Sequence, residues 1–199
     1  MSSPEVPLDL KSLKLYGNLV KLPQWIQGLQ NLVKLNLRST RLSEHDYSME
    51  VLGNMPNLAI LRLLEKSFQC EELHFKIEGF RNLTVLVFGN FGDIKRVKFD
   101  QGAMPKLEQI QVKNDWRVRK SGCSESEAVF VGLEFLPSIK QAWFNVTIIL
   151  DFSPWDEQFK HISDEVFLKA NNFEEHFRAW LADNRRNPVL KVGEPQSQD

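Results

Sequence analysis

The sequence predicts an α/β solenoid with a curved parallel β-sheet on its concave side, a mixed convex side and a C-terminal helical cap. Two observations predict the sheet: the motif L-x-x-L-x-L, formed by Leu32, Leu35 and Leu37, and its recurrence along the chain. A third observation, an apolar stripe at helical spacing near the C-terminus, predicts the cap.

The clearest copy of the motif, Leu32–Leu42, reads L-x-x-L-x-L-x-x-T-x-L, which is close to the leucine-rich-repeat pattern. In a strand, Leu35 and Leu37 point to one side, while the residues between and beside them point to the other. One such unit cannot bury its leucines alone. It therefore needs copies above and below it.

Five further segments repeat the pattern with decreasing fidelity. Their first positions are Leu10, Leu58, Leu83, Leu107 and Ile139, and the steps between successive copies, with Leu32 included, are 22, 26, 25, 24 and 32 residues. The copies predict six parallel strands in one sheet, near Ser12–Tyr16, Lys34–Arg38, Ile60–Leu64, Val85–Gly89, Gln109–Lys113 and Gln141–Asn145.

The segments between these strands predict a convex side of mixed structure. Pro23 predicts a short turn, and a helix capped by Ser43 is predicted to end near Pro56. The apolar alternation in 68–80 and 94–99 predicts short extended segments. The charged segment Trp116–Ser126 accounts for the long last step. It is predicted to be a solvated loop on the convex face, and the alternative is a docking loop that uses Arg117, Arg119 and Lys120.

At the C-terminal end, Phe173, Phe177, Trp180 and Leu181 predict one apolar stripe on a helix. The helix is predicted to be capped at Asn172 and to end before Pro188. The predicted organisation is a polar leader over residues 1–7, a solenoid of about six repeats over 8–150, a cap over 151–192 and a disordered tail over 193–199.

The composition is that of one globular domain, with 42% hydrophobic residues, 26% charged residues and a net charge of −1. This charge gives no general attraction to nucleic acid or to an anionic membrane. The chain has two cysteines, no C-x-x-C spacing, no signal-peptide pattern and no apolar run long enough to span a membrane. The predicted location is therefore the cytoplasm or the nucleus.

Motifs for nucleotide binding, nucleophilic catalysis and zinc-dependent hydrolysis are absent from the sequence. The four histidines, His45, His74, His161 and His176, lie in different segments without ligand spacing. We therefore predict that the chain is not an enzyme, that it has no catalytic or metal-binding residues, and that it needs no cofactor.

The candidate functional site is the outward side of the six strands. Its centre is apolar, with Ile60, Leu64, Val85 and Val87, and this pattern is typical of a protein-binding surface. The basic and aromatic margin comprises Lys14, Tyr16, Lys34, Arg38, Arg62, Lys113 and Trp143. Arg38, Arg62 and Trp143 are the predicted anchors. The alternative is that another segment of a longer protein covers this face. The oligomeric state stays open.

Several stretches resemble the last leucine-rich repeats of plant, especially cereal, coiled-coil NLR disease-resistance receptors. They are Leu32–Leu42, Leu58–Leu64, Phe99–Glu108, Gly132–Lys140 and Asn184–Val192, and the resemblance covers residues 8–192. It implies a non-catalytic interaction module of plant innate immunity, which restrains a nucleotide-binding switch and takes part in effector recognition. The implied partners are a receptor's nucleotide-binding domain, a pathogen effector, or both. The chain lacks the coiled-coil and nucleotide-binding motifs of that family.

Two other classes of protein are alternatives to the one that this resemblance implies. A substrate adaptor for ubiquitin ligation, or a scaffold of another pathway, would be expected to carry a helical docking segment ahead of the repeats. An extracellular inhibitor or receptor ectodomain would need a signal peptide and paired cysteines, and the sequence has neither.

Overall fold

Alternating apolar residues form most of the strands, and turns or short helices return the chain between them. The computed structural model describes residues 7, 9–43, 47–119, 122–124, 128–150 and 157–193. In chain order the strands are β1 (Ser12–Tyr16), β2 (Lys34–Arg38), β3 (Leu42–Ser43), β4 (Ile60–Leu64), β5 (Phe68–Gln69), β6 (Glu72–Phe75), β7 (Val85–Gly89), β8 (Arg96–Phe99), β9 (Gln109–Arg119), β10 (Gly122–Ser124), β11 (Val129–Val131), β12 (Gln141–Leu150) and β13 (Val189–Val192). The helices are α1 (Ser48–Gly53) and α2 (Glu157–Ala182), with 3₁₀ turns at Gln24–Gly28 and Leu133–Phe135.

The large sheet runs in the order β1-β2-β4-β7-β9-β12-β13, and all neighbours on this path are parallel. The six predicted strands are therefore confirmed as one parallel sheet. Equivalent positions of successive repeats lie side by side, so that Leu35 pairs with Leu61 and Leu61 with Leu86. This register stacks the apolar side chains of neighbouring repeats directly on one another.

The inward side chains form one continuous core. Leu35, Leu61 and Leu86 are fully buried, whereas Leu13 and Leu15 of β1 are only partly buried because β1 is an edge strand of the sheet. Aromatic rings form a connected cluster within the core. Phe75 lies among these rings. Its ring stacks on that of Phe99 with the ring centres 5.2 Å apart, and it contacts the ring of Phe88 edge-on with the ring centres 6.2 Å apart.

The turns that precede the strands are joined by side-chain hydrogen bonds from one repeat to the previous one. The donor stands just before the first apolar position of its repeat: Asn57 donates to the Gln30 carbonyl at 2.8 Å, and Asn82 donates to the Pro56 carbonyl at 2.6 Å. Ser138 and Arg186 repeat the contact on the Pro105 and Pro137 carbonyls, at 2.7 and 2.8 Å. These bonds satisfy turn carbonyls that strand pairing leaves free.

The convex side contains the predicted short strands. β6 and β8 pair in parallel, and β11 adds to β8, which gives a second small sheet. The predicted helix is also present as α1, but Ser43 does not cap it. Ser43 lies in β3, which pairs with β5, and Tyr47 is the residue that precedes the helix.

The segment predicted to be a solvated loop begins as an extension of the main sheet. β9 and β12 stay paired for ten residues, well beyond the end of β7, and β10 folds back against β9 at Arg117–Arg119. The cause is Trp116, whose side chain is 1% exposed and stacks on Phe173 of α2 at 6.4 Å. Lys120 lies outside the described residues.

The prediction that the sheet ends with the sixth repeat is wrong, because β13 pairs with β12 as a seventh strand. In this repeat Leu190 and Val192 align with Ala142 and Phe144. Asn187 stands where the pattern has its first apolar residue, so the motif is incomplete in the sequence. Arg186 nevertheless makes the same turn contact as Asn57 and Asn82.

The long helix α2 belongs to the convex side of the last full repeat. It runs from Glu157, so Asn172 lies inside the helix and the predicted cap at this residue is wrong. Phe173, Phe177 and Leu181 are buried as predicted, Trp180 is partly buried, and Phe177 packs on Phe130 at 5.0 Å. Exposed Val192 shows that the helix does not cover the seventh strand.

Buried Asn184 fixes the end of α2 to the preceding repeat. Its amide donates to the carbonyls of Leu133 at 2.6 Å and Leu136 at 3.1 Å, and its oxygen accepts from the Arg186 amide at 2.9 Å. The predicted leader and disordered tail lie, apart from Pro7 and Gly193, outside the described residues.

The helix α2 is expected to be essential for stability. Because Phe177 is 0% exposed among Phe130 and Phe144, Phe177→Ala should lower the free energy of unfolding by about 3–5 kcal/mol. The matched control is Phe167→Ala on the same helix, where the ring is 52% exposed and the expected change is within about 0.5 kcal/mol. Urea unfolding measures both, and equal losses would show that α2 does not dock through Phe177.

Acid should remove a contact on the convex side. Asp100 Oδ1 lies 2.7 Å from His74 Nε2, and this hydrogen bond lowers the pKa of Asp100 below its usual value. Its contribution to stability is therefore present above the unfolded pKa of about 3.9 and is lost as the pH falls through the lower folded pKa. The difference in unfolding free energy between the wild type and Asp100→Asn should shrink over this range in urea titrations, and the exposed control Asp93→Asn should not reproduce it.

Candidate functional site

The strand register arranges the outward residues of the main sheet in three rows. The first row contains Ser12, Lys34, Ile60, Val85, Gln109, Gln141 and Val189. The central row contains Lys14, Asn36, Arg62, Val87, Gln111, Trp143 and Lys191. The third row contains Tyr16, Arg38, Leu64, Gly89, Lys113 and Asn145. We call this set the concave face. It holds all eleven residues that the sequence predicted for the site.

The apolar centre of the concave face is packed against itself. Ile60 pairs with Val85, and Arg62 pairs with Val87, so these side chains touch across neighbouring strands. Ile60, Leu64 and Val85 are half-buried, and Val87 is only 4% exposed. The centre is therefore a shallow floor on which a partner can rest, and Ile60 and Leu64 offer more contact area than Val87.

The charges of the concave face all have one sign. Its charged residues are Lys14, Lys34, Arg38, Arg62, Lys113 and Lys191, and none of its positions carries Asp or Glu. Among the described residues, Arg38 alone of these cations forms a salt bridge, with Glu65 at the end of β4. Basic side chains elsewhere are commonly paired, as Lys95 is with Glu71 at 2.5 Å and Lys140 with Glu108 at 2.7 Å.

The salt bridge of Arg38 is a fork in which both carboxylate oxygens of Glu65 accept. Arg38 Nε donates to Oε2 at 2.8 Å, and Nη2 donates to Oε1. These hydrogen bonds raise the pKa of Arg38 above its usual value. Because both side chains stay substantially exposed, the pair is accessible to competition by a partner.

Three polar atoms of the central row are buried without a hydrogen-bond partner among the described residues: Asn36 Oδ1, Arg62 Nε and Trp143 Nε1. Asn36 and Arg62 are direct neighbours across β2 and β4. A buried polar atom without a partner costs about 1–3 kcal/mol. A partner that rearranges this row and supplies hydrogen bonds would recover part of that energy.

Trp143, one of the three predicted anchors, is partly covered by the seventh strand. The Lys191 ammonium lies 4.8 Å above its ring centre and donates to Gln141 Oε1 at 3.2 Å. This cation–π contact holds the ring against the sheet. Trp143 therefore contributes less free surface than predicted, because β13 was not part of the predicted sheet.

The basic segment offered as an alternative site continues the concave face. By strand alternation Arg117 points to the same side as Lys113, along the extension of β9. Arg117 is exposed, and it aligns with Ile149 on β12. Arg117 therefore extends the concave face, whereas the side chains of Arg119 and Lys120 lie outside the described part of the chain.

Within the described part of the chain, no group of three or more His, Cys, Asp or Glu side chains could hold a metal ion. No described helix has both the length and the apolar character required to cross a membrane. The cysteine whose side chain is described, Cys70, is a buried member of the core.

Comparison with known proteins agrees with this geometry. The family described as "Leucine-rich repeat region" matches residues 2–165. The chain is 33% identical over 116 residues to disease resistance protein RGA4 of Oryza sativa subsp. japonica, which covers 56% of this chain and 11% of that protein. It is 28% identical over 133 residues to disease resistance protein RPM1 of Arabidopsis thaliana, covering 67% and 13% of the two chains.

A further rice relative, disease resistance protein Pik-2, is 28% identical over 165 residues, covering 72% of this chain and 15% of the relative. The chain thus spans 11 to 15% of the length of these relatives. Since the family match covers most of the chain and the sheet has the expected repeat register, the chain belongs to the leucine-rich-repeat family, as a repeat region similar to plant disease resistance proteins.

Proposed function

We propose that this chain is a non-catalytic protein-interaction module of plant innate immunity, acting from the cytoplasm or the nucleus. Its concave face binds the nucleotide-binding domain of a disease-resistance receptor, a pathogen effector, or each in turn. The similarity to plant disease resistance proteins supports this function over that of a ubiquitin-ligase adaptor or a scaffold of another pathway.

The observation that carries the proposal is the combination of a half-buried apolar centre with cations, Lys34 and Arg62 among them, that form no salt bridge with a described carboxylate. Ile60 and Leu64 provide area that releases water on binding, and Lys34 and Arg62 stand beside them. A partner that covers Ile60 and Leu64 also removes water from Arg62. It must then place a carboxylate or carbonyl oxygen opposite the guanidinium, because a buried charge without a partner is costly.

The apolar centre favours a protein partner over nucleic acid. A surface for nucleic acid gains most of its affinity from phosphate contacts and has little use for a central aliphatic floor. The net charge of −1 also gives the chain no general attraction to a polyanion. The acidic and apolar surface of a folded domain fits both features.

The test is co-precipitation of this chain with a separately expressed nucleotide-binding region of a cereal resistance receptor. Arg62→Glu reverses a central charge, and Ile60→Glu places a charge on the half-buried floor. Either change should lower the recovered partner by about tenfold or more, because anchors near the centre of an interface dominate its energy. Ile60 is a better site than Val87, whose 4% exposure makes Val87→Glu a test of folding as well.

The matched control is Lys95→Glu, which reverses an exposed charge on the convex side. This variant should co-precipitate like the wild type. Circular dichroism and urea unfolding establish that all variants are folded. Equal recovery of the wild type, Arg62→Glu and Ile60→Glu would exclude the concave face as the contact with that region.

A further inference from the structure

Gly89 makes a notch in the third row of the concave face. The three rows of the concave face contain one glycine, Gly89, and it lies between Leu64 on β4 and Lys113 on β9. The resulting pocket has a volume of about 210 Å³. A Cβ atom at residue 89 would lie 2.9 Å from Leu64 Cδ2, so even alanine would displace the wall of the notch.

One side of this pocket is already neutralised. Arg38 and Glu65 line it, and they hold each other in the forked salt bridge. Glu65 therefore does not act as an isolated negative charge, and the Arg38 guanidinium already has a carboxylate partner. This exposed pair forms one wall of the pocket.

The end of the pocket is fixed by hydrogen bonds around Asn90. Its amide nitrogen donates to Asn114 Oδ1 at 3.0 Å, and its side-chain oxygen accepts from the Asp115 amide at 2.6 Å. Asn90 Nδ2 also donates to Asp115 Oδ2 at 3.4 Å. The notch is thus held in shape by the turn that follows β7.

The opposite side carries hydrogen-bonding groups without partners among the described residues. They are the ammonium of Lys113, the carboxamide of Asn145 and the hydroxyl of Thr147, all of which line the pocket. Lys113 and Asn145 are direct neighbours in the strand register, and Lys113 also neighbours Gly89. Each of the three groups can donate a hydrogen bond into the same space.

We propose that this notch accepts a glutamate or aspartate side chain of the partner protein, with its carboxylate bound by Lys113, Asn145 and Thr147. The proposal deepens the function proposed above by naming the group that enters the concave face at one defined point, and it rests on that function. Leu64 contacts the methylene carbons of the entering side chain.

The charged residues that line the pocket sum to zero, and the size of the pocket together with the ammonium of Lys113 favours a carboxylate side chain. Its 210 Å³ volume is below the roughly 300–1,000 Å³ of sites for drug-sized ligands, which suits one side chain. Its charged lining residues are Arg38, Glu65, Lys113 and Asp115. With Arg38 paired to Glu65, Lys113 favours an anion. Asp115, at the rim of the pocket, repels an anion, and Asn90 Nδ2 donates a hydrogen bond to one oxygen of the Asp115 carboxylate.

The experiment is a titration of the full chain with N-acetyl-L-glutamate N-methylamide, followed by the NMR shifts of the backbone amides of Gly89, Asn90 and Lys113. A ligand of this size is expected to bind with a Kd on the order of 1–10 mM. The analogue with glutamine in place of glutamate should bind about tenfold more weakly, because it lacks the charge that Lys113 pairs with.

The variants separate charge from structure. Lys113→Gln should weaken binding of the glutamate probe about tenfold, Lys113→Arg should restore most of it, and Asp115→Asn should strengthen it. The matched control is Lys140→Gln, which removes an exposed cation just before β12 and should change nothing at the notch. Equal binding of both probes, or no effect of Lys113→Gln, would overturn the proposal. So would equal shifts from inorganic phosphate, which would indicate a general anion site.

The outcome is independent of the co-precipitation test. If Arg62→Glu and Ile60→Glu lower recovery of the partner while the glutamate probe leaves Gly89, Asn90 and Lys113 unshifted, the notch proposal fails and the concave face remains the binding surface. If the probe binds the notch but neither variant affects recovery, the proposed function fails for that partner.

Discussion

The structure depends on one constraint, the in-register parallel pairing of equivalent positions in successive repeats. Leu35, Leu61 and Leu86 lie side by side because their strands pair without a shift. A shift of one residue in any pair would move leucines to the concave face and basic residues into the core. The same register therefore produces both the buried core and the ordered rows of the concave face. The turn contacts of Asn57, Asn82, Ser138 and Arg186 reinforce it, since each reaches the same place in the previous repeat.

The main sheet could be predicted because its signal is local and repeated. Lys34–Arg38 alternates cleanly, and its neighbours copy it. The unexpected elements depend on contacts between distant segments. Trp116 looks like a loop residue until Phe173, more than fifty residues later, provides a surface for it. The buried residues of α2, including Val166, Phe173 and Phe177, are correctly spaced, but exposed Phe167 and Leu168 obscure the stripe in its first half. The seventh strand was missed because Asn187 replaces the first apolar residue of the motif.

The composition of the concave face was equally predictable, because strand alternation determines which residues point outward. The contacts and the exposure of each side chain could not be predicted in this way. Glu65 neutralises Arg38 across 27 positions of sequence, and Lys191 covers Trp143 from a strand that the pattern did not reveal. Val87 is buried because neighbouring outward side chains converge on a concave surface. Gly89 carries no motif, and its importance appears only when Leu64 and Lys113 are seen on either side of it.

The distribution of charge on the concave face explains how the chain tolerates unpaired cations. In the strand register no two of them are direct neighbours: Lys14 and Arg62 are separated by Asn36, and Lys34 and Lys113 lie beside neutral residues. Like charges placed directly opposite each other would destabilise the sheet, and this spacing avoids that cost. Lys14 is exposed and Lys34 and Lys113 are half-buried, so these cations keep contact with water in the free protein and lose it when a partner covers them. They therefore cost the fold little, and they would penalise a partner that lacks matching acidic or carbonyl oxygens. In the proposed function, selectivity for an acidic, apolar surface follows from the residues that alternate with the buried leucines.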